Sequence, residues 1–317
     1  MFSIIIPNWN GKKYLEECIL FLKKQSFQNY EIIVIDNGSK DDSVQFLKEI
    51  YSDIIIIENK KNLGFCKAVN QGIKKAKQEF IIVLNNDVIV QKNWLENLSK
   101  NIKNDKIGMW GSKILYYHNP KIINSTGILI TPDLTTFNRG IDELDKGQYD
   151  KEYDILGPSA ACAMYRKTML EEIGLFDENY FCYREDDELA LRAQIKGWKA
   201  VFVSDAICFH HRSASTGIYS LFKLYYTERN RIFNVIKFLN FKQILKANFY
   251  TIFRYFNFFK KPILRKESKN SILKFFFILC KSYFFALFYL PKMLIKRYKI
   301  QPKKQIIQEL LKKYEYK

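Results

Sequence analysis

Four consecutive apolar residues, Ile81-Ile82-Val83-Leu84, stop abruptly at Asn85-Asn86-Asp87, and short β-branched runs of the same kind recur along the first ninety residues. Ser3-Ile4-Ile5-Ile6, residues 31–35 and residues 54–57 are the others. Such runs are too short for helices and lack the polar alternation of a strand with one wet face. They suit interior strands of a parallel sheet covered on both sides. Between them the apolar period changes. Tyr14, Leu15, Cys18, Ile19 and Leu22 recur at helical spacing, a second helix is predicted through Leu47 with Ser39 or Asp41 as its cap, and a third over 65–76. Alternating strands and helices predict a doubly wound α/β sheet whose ligands gather at the carboxyl ends of the strands. Asp87 then stands where a carboxylate can hold a divalent cation against phosphate oxygens, or else in a turn that merely ends a strand.

Farther along, 107–116 and 122–130 read as strands added antiparallel to this sheet, and 132–154, charged and without periodicity, as a long mobile loop, either a lid or a surface insertion. The small residues of Gly157-Pro158-Ser159-Ala160-Ala161-Cys162 permit close approach to the backbone, by a substrate or by tight sheet packing. Four acids, Glu185-Asp186-Asp187-Glu188, open a helical pattern. They complement a helix N-terminus, but their mutual repulsion also raises at least one pKa, which suits a general base. Strand-like pieces at 199–203 and 206–209 lead to His210-His211, whose side chains point to opposite faces, so that one can enter a crevice.

Charge divides the chain. Residues 1–217 carry 28 Lys/Arg against 29 Asp/Glu, whereas 218–317 carry 23 against 4, a net of +19. Two domains are expected at that boundary: an α/β domain and a basic, aromatic-rich helical extension. In the extension Leu221, Leu224, Tyr225, Ile232, Phe233, Ile236 and Leu239 fall near helical spacing among basic residues, predicting an amphipathic basic helix. Residues 244–259 and 272–290 are longer apolar stretches. The second nears spanning length but contains Lys274 and Lys281, so helices lying in a membrane interface over anionic head groups are expected, with no nucleic acid as partner. Aromatic residues among basic ones also suit nucleic-acid stacking, and that alternative predicts salt-sensitive DNA or RNA binding. Six cysteines without CxxC spacing indicate neither zinc nor a disulfide framework, and the apolar start, cut short at Pro7, is too brief for a secretory signal.

The loops carry the chemistry. Pro7-Asn8-Trp9-Asn10-Gly11, Asp36-Asn37-Gly38-Ser39, Asn62-Leu63-Gly64-Phe65 with Asn70-Gln71-Gly72, and Leu84-Asn85-Asn86-Asp87 follow in that order, and no Gly-rich dinucleotide or P-loop signature is present. Gly72 inside a helix suggests close backbone packing. This order resembles the family 2 inverting glycosyltransferases, most closely their rhamnosyltransferase-like branch, over roughly residues 2–240. A second signature agrees: Gly174-Leu175-Phe176-Asp177, then Phe181-Cys182-Tyr183-Arg184-Glu185-Asp186 with Leu189 and Arg192, and a late His.

The resemblance implies a GT-A fold with a mixed sheet, a nucleotide-diphosphate-sugar donor (dTDP-rhamnose or a UDP-sugar) and Mg²⁺ or Mn²⁺. It places Pro7, Asn8, Asn10, Asp36, Asn62, Asn70, Asn85 and Asn86 around the donor, Asp36 at its base. Asp87, the sole carboxylate of an element whose first acidic position is here Asn85, would hold the metal with His210. Asp186 would be the base, with Asp187 in reserve because the neighbouring acids depart from the usual pattern, and Arg229 would touch acceptor phosphate. The expected activity is hexosyl transfer to a polyprenyl-diphosphate-linked glycan of bacterial surface polysaccharide, by a monotopic enzyme on the cytoplasmic membrane face. A nucleotidyltransferase on a related sheet is the other enzymatic reading.

Overall fold

The structure, a computed structural model of the chain, describes residues 1–211, 220–260 and 269–316, and within these the side chains of all but 258–260 and 269–272. It divides into two compact units, one of 1–129 with 137–215, the other of 130–136 with 216–317. The boundary expected at 217/218 falls outside the described residues.

In the first unit β1 (Phe2–Asn8) lies between β2 (Tyr30–Asp36) and β4 (Phe80–Leu84), parallel to both, and β3 (Ile55–Glu58) continues the sheet beyond β2. Helices α1 (Lys12–Lys23), α2 (Ser43–Ile50) and α3 (Phe65–Lys75) connect them. The isoleucines of β1 are fully buried, as an interior strand requires. Gly72 is explained by packing, since a Cβ there would lie 2.5 Å from Ile5 Cγ2 and 2.8 Å from Ile35 Cδ1. Asp41 works differently from a simple cap of α2: its carboxylate accepts the Lys12 N–H of α1 and the Ser43 N–H of α2, tying two helix starts together.

After β5 (Val88–Val90) and α4 (Trp94–Lys100) the sheet becomes mixed. Its order is β10-β12-β6-β11-β4-β1-β2-β3, with β6 (Ile107–Tyr116), β10 (Asp154–Ile155), β11 (Cys162–Arg166) and β12 (Lys199–His210). The expectation for 107–116 needs correcting: the reversed strand is β11, antiparallel to both β4 and β6, while β6 runs parallel to β12. The small residues before β11 thus lead into sheet packing. Residues 122–130 are two strands, β7 (Ile123–Ser125) and β8 (Ile128–Ile130), separated at Thr126-Gly127, where Gly127 has φ +134°. The long loop expected over 132–154 is also more structured than its composition suggests. Its start forms β9 (Thr136–Asn138), which pairs with β8, and Thr131 and Thr135 hold the turn between them through Asp133. The period was hidden because these strands are only three residues long. Two further helices, α5 (Lys167–Ile173) and α6 (Glu185–Ile195), complete the unit.

The second unit contains α7 (Leu221–Phe238), α8 (Phe241–Lys260), α9 (Lys269–Phe288), α10 (Leu290–Ile300) and α11 (Lys304–Lys313), with the hairpin tip 130–136. The amphipathic basic helix expected here is a helix, but much of its charged face is buried instead of solvated. Glu228, Arg229, Asn230, Arg231 and Lys237 are all buried. The Arg231 guanidinium donates to Glu228 and to the Asp133 carbonyl, and Arg254 of α8 bridges the Asp133 and Glu228 carboxylates. Burial works to raise the Glu228 carboxyl, but the two arginines and Tyr255 outweigh it and hold it at about 2. The helical spacing was read correctly. Its polar residues, however, face an internal ion network, which periodicity alone does not distinguish from a wet face.

Candidate active site

The parallel strands deliver the polar motifs to one edge. Register pairs Asn8 with Asp36 at the ends of β1 and β2, and both are buried. Asn8 Nδ2 donates to Asp36 Oδ1 at 3.2 Å, and Asn86 Nδ2, beyond the end of β4, donates to Asn8 Oδ1 at 2.7 Å. Asp36 Oδ2 accepts the Ser39 N–H, while Asn10, exposed at φ +49°, accepts the Lys40 N–H. Asn62 accepts from the buried Asn37 side chain and from the Gly64 N–H. Asn8, Asn10, Asp36, Asn62 and Asn86 therefore form one chain of polar groups, with Pro7 in β1 below it and Asn85 between β4 and Asp87. Gly11 is part of this arrangement, because a Cβ there would lie 2.1 Å from Asn86 Nδ2 and 2.9 Å from Asn8 Oδ1. Gly11→Ala is expected to leave the fold intact, as Asn86 can swing away, with a melting temperature within a few degrees of wild type by circular dichroism, while the Asn86–Asn8 hydrogen bond is lost.

Asp87 follows this string, buried before β5. Its Oδ1 is 3.2 Å from Nε2 of His210 at the end of β12, and His210 Nδ1 is 3.0 Å from Asn124 Oδ1. With Nδ1–H donating to Asn124, Nε2 faces the carboxylate, either as the N–H of an imidazolium or as a lone pair beside a shared cation. Two ligands on adjacent positions of an octahedral cation, each at about 2.1 Å, lie about 3.0 Å apart. The Asp87–His210 separation fits that geometry. No cluster of three or more such side chains occurs among the described residues. A cation here would complete its shell with phosphate oxygens and water, as Mg²⁺ commonly does. Burial works to raise the Asp87 carboxyl, and the hydrogen bond and charge of His210 outweigh it, holding the group below its usual range. The His211 ring stacks on Tyr117 at 3.8 Å between centroids with Nε2 3.6 Å from Glu17 Oε2, and its backbone N–H donates to the Asp87 carbonyl at 3.0 Å, so the imidazole beside the Asp87 carboxylate is that of His210.

The four acids of α6 separate into different roles. Glu188 is paired with Arg192 through two 2.8 Å hydrogen bonds, and Asp187 lies 3.3 Å from the Arg184 guanidinium. Asp186, half-buried, accepts the Ala160 N–H at 3.0 Å. Burial first, then the charge of Asp187, pushes its carboxyl up to about 7. Glu185 is buried with Oε2 lacking a hydrogen-bond partner, and burial with the Asp186 charge raises it well above the ordinary range. Asp186 is thus the acid with both an accessible surface and a pKa suited to proton transfer near neutrality; Asp187, the reserve candidate, is committed to Arg184. The turn before α6 holds Phe181, Tyr183 and Arg184 at φ +63°, +67° and +68°. Non-glycine residues in this region cost about 1 kcal/mol or more each, and such strain collects at functional sites. The turn is seated on Gly64, where a Cβ would lie 2.5 Å from the Phe181 ring.

One short loop joins the two halves of the site. Asn85 N–H donates to the Ala161 carbonyl at 2.9 Å, and the preceding Ala160 N–H holds Asp186. Asn85 and Asp186 are each one hydrogen bond from the same dipeptide. Ala160 was read from sequence only as part of the small-residue run 157–162, and Asn124 was not singled out, since a lone Asn in a short strand leaves no pattern.

Two expected site residues are placed otherwise. The Asn70 amide is buried and holds both the N–H and the carbonyl of Phe176, which fixes the Gly174–Asp177 loop, and its Nδ2 also donates to Glu178 Oε1 at 3.2 Å. Arg229 belongs to the second unit, where its guanidinium is buried over the Tyr226 and Phe233 rings and bonded to Asn230.

The Glycosyl transferase family 2 model matches residues 3–174. The glycosyltransferase GlyG of Streptococcus pneumoniae is 33% identical over 106 residues, covering 32% of this chain and 35% of that protein. The O-antigen biosynthesis protein RfbC of Myxococcus xanthus is 26% identical over 222 residues, 67% of this chain and 17% of that protein. The chain thus spans well under half of either relative. Among solved structures, Staphylococcus aureus TarS 1–349 in complex with UDP-GlcNAc superposes with a TM-score of 0.59 at 18% identity, covering 100% of this chain and 93% of that one. The mannosyltransferase PcManGT of Pyrobaculum calidifontis, in complex with GDP-Man and Mn²⁺, gives 0.56 at 16%, covering 99% and 88%. These likenesses show the GT-A fold. With its mixed sheet, its motifs at the strand ends and a family model matching more than half its length, the chain belongs to glycosyl transferase family 2.

Proposed function

We propose that this protein is a divalent-metal-dependent, inverting hexosyltransferase. It would move a sugar from a nucleotide-diphosphate donor, dTDP-rhamnose or a UDP-sugar, to a polyprenyl-diphosphate-linked glycan of a bacterial surface polysaccharide, working at the cytoplasmic face of the plasma membrane. The observation that carries this reading is Asp186, a half-buried carboxyl with its pKa raised to about 7, held by the loop that also holds Asn85. Relatives named for O-antigen and poly-N-acetylglucosamine synthesis, and neighbours solved with UDP-GlcNAc and with GDP-Man and Mn²⁺, support it.

In the proposed reaction the Asp186 carboxylate takes the proton of an acceptor hydroxyl as that oxygen bonds to the anomeric carbon, while the bond from that carbon to the diphosphate oxygen breaks on the opposite face. One displacement inverts the centre and requires no carboxylate nucleophile. Asp87 and His210 would hold Mg²⁺ or Mn²⁺, which offsets the negative charge growing on the leaving diphosphate. Asp36 and the asparagines linked to it orient the nucleoside.

Calorimetry of UDP, dTDP and GDP tests the nucleotide side. With Mn²⁺ present, one nucleotide is expected to bind wild type and Asp186→Asn alike, and at least about tenfold more weakly to Asp87→Ala or His210→Ala. Binding indifferent to EDTA and to both substitutions would remove the metal from the account.

A further inference from the structure

Three helices of the second unit carry a second, exposed apolar face beside the buried one that holds Ala247, Phe275, Leu279 and Met293. On α8 Thr251 is buried, 4% exposed, and the ion-paired Arg254 is half-buried, while Phe249, Ile252 and Phe253 are 77%, 66% and 61% exposed. On α9 the small Ser282 and Ala286 are fully buried, and Phe277, Phe284 and Phe288 are 69%, 66% and 73% exposed. The α10 helix continues the pattern with Ile295 and Tyr298. A helix in water turns its apolar stripe inward. Here the exposed rings recur at helical spacing on the outer faces of consecutive helices, far more than the scattered surface apolar residues of an ordinary domain.

The charges on these faces identify the occupant. Lys242 and Lys246 on α8, Lys274 and Lys281 on α9, and Lys292 and Lys299 on α10 are exposed among the rings. Neither α8, α9 nor α10 contains a single acid. Apolar rings flanked by long-stemmed cations match an anionic lipid surface, in which rings enter the acyl boundary and ammonium groups reach phosphate. No single described helix is long and apolar enough to cross a membrane. The pair 273–288 and 290–300 passes that test only together and is bent by 61° at the break. The bend and the lysines suit a segment lying in the interface better than one crossing it.

We infer that α8, α9 and α10 form a monotopic membrane-binding surface, with Phe249, Phe253, Phe277 and Phe284 as its inserted anchors and lysines selecting anionic lipid. This goes beyond the transfer reaction and does not depend on it. The full chain is mixed with vesicles of phosphatidylcholine alone or with phosphatidylglycerol added, then floated on a density gradient. Wild type is expected to float with anionic vesicles, at least about tenfold better than with neutral ones. The variant F249S/F253S/F277S/F284S is expected to bind at least about tenfold more weakly, with unchanged circular dichroism, because none of these four side chains is buried. A variant that floats like wild type, or a wild type that floats with neither vesicle, overturns the inference. Should wild type ignore vesicles and form a dimer that the fourfold variant dissociates, the face is covered by a second copy instead. Tryptophan placed at Phe253 provides a separate reading: a blue-shifted emission on adding anionic vesicles supports insertion, and an unchanged spectrum contradicts it.

Discussion

Asp186→Asn is expected to reduce kcat by about 10³-fold while leaving nucleotide affinity unchanged, the range in which a general base contributes. The substitution keeps the side chain's shape and, through its one carbonyl oxygen, the acceptance of the Ala160 N–H, gives up the bond from the Asp187 N–H, and removes the only form able to take a proton. The sign of the pH dependence follows from the elevated pKa. A base must be ionised, so wild-type turnover should rise with pH through about 7 and level off above it. An acid limb near 4 would show that burial and Asp187 do not govern the group. Stability moves the other way. A carboxyl whose folded-state pKa is raised contributes stability that is full below the ordinary carboxylate range and is lost as pH rises through about 7. At pH 8 Asp186→Asn should therefore be inactive yet melt no lower than wild type, which separates lost chemistry from lost fold. Glu185 shares the elevated titration with Asp186, so the limb reports the pair.

Arg192→Ala is expected to be the most destabilising single change in the first unit, by about 3–5 kcal/mol. Its guanidinium neutralises Glu188, whose side chain is 1% exposed, and donates to the carbonyls of Ile173, Gly174 and Leu175. Removal leaves a buried carboxylate without its cation and three carbonyls without donors. Thermal melting by circular dichroism should show a loss of roughly 10 °C. The double variant E188M/R192M should recover part of this, since two apolar side chains remove the orphaned charge. Recovery stays incomplete because the carbonyls still lack their donor. Full recovery in the double variant would mean that Arg192 serves Glu188 alone. A single variant that melts like wild type would contradict the assignment altogether.

The contrast between Asp186 and Arg192 shows what the sequence revealed and what it concealed. Both stand in one motif, and the motif located the helix, but it does not distinguish an acid that keeps an open surface from a guanidinium consumed in holding a loop. That distinction depends on Ala160, Ile173 and Gly174, which contribute backbone groups and therefore no side-chain pattern. The parallel half of the sheet was legible because β1, β2 and β4 are uniform apolar runs ending in polar loops. The hairpin over β8 and β9 was not, since strands of three residues are too short to show alternation. The Asp87–His210 pair joins residues 123 positions apart, and the family resemblance, not spacing, suggested it. In the second unit the helical period was plain and Phe233 and Leu239 are buried as it implies, but the burial of α7's charged residues was not legible, because a buried network of Asp133, Glu228, Arg231 and Arg254 has the composition of a solvated surface.

The central claim is that the Asp87 element and Asp186 serve one sugar transfer. Its most direct test is nucleoside diphosphate release from a panel of dTDP-, UDP- and GDP-sugars by full-length protein in detergent, with Mg²⁺ or Mn²⁺ and a membrane lipid extract as acceptor source. The account predicts release from one donor, abolished by EDTA, by Asp87→Ala and by Asp186→Asn, with nucleotide still bound by the last. Release that persists in Asp186→Asn at the wild-type rate, or pyrophosphate as the product in place of nucleoside diphosphate, would contradict it.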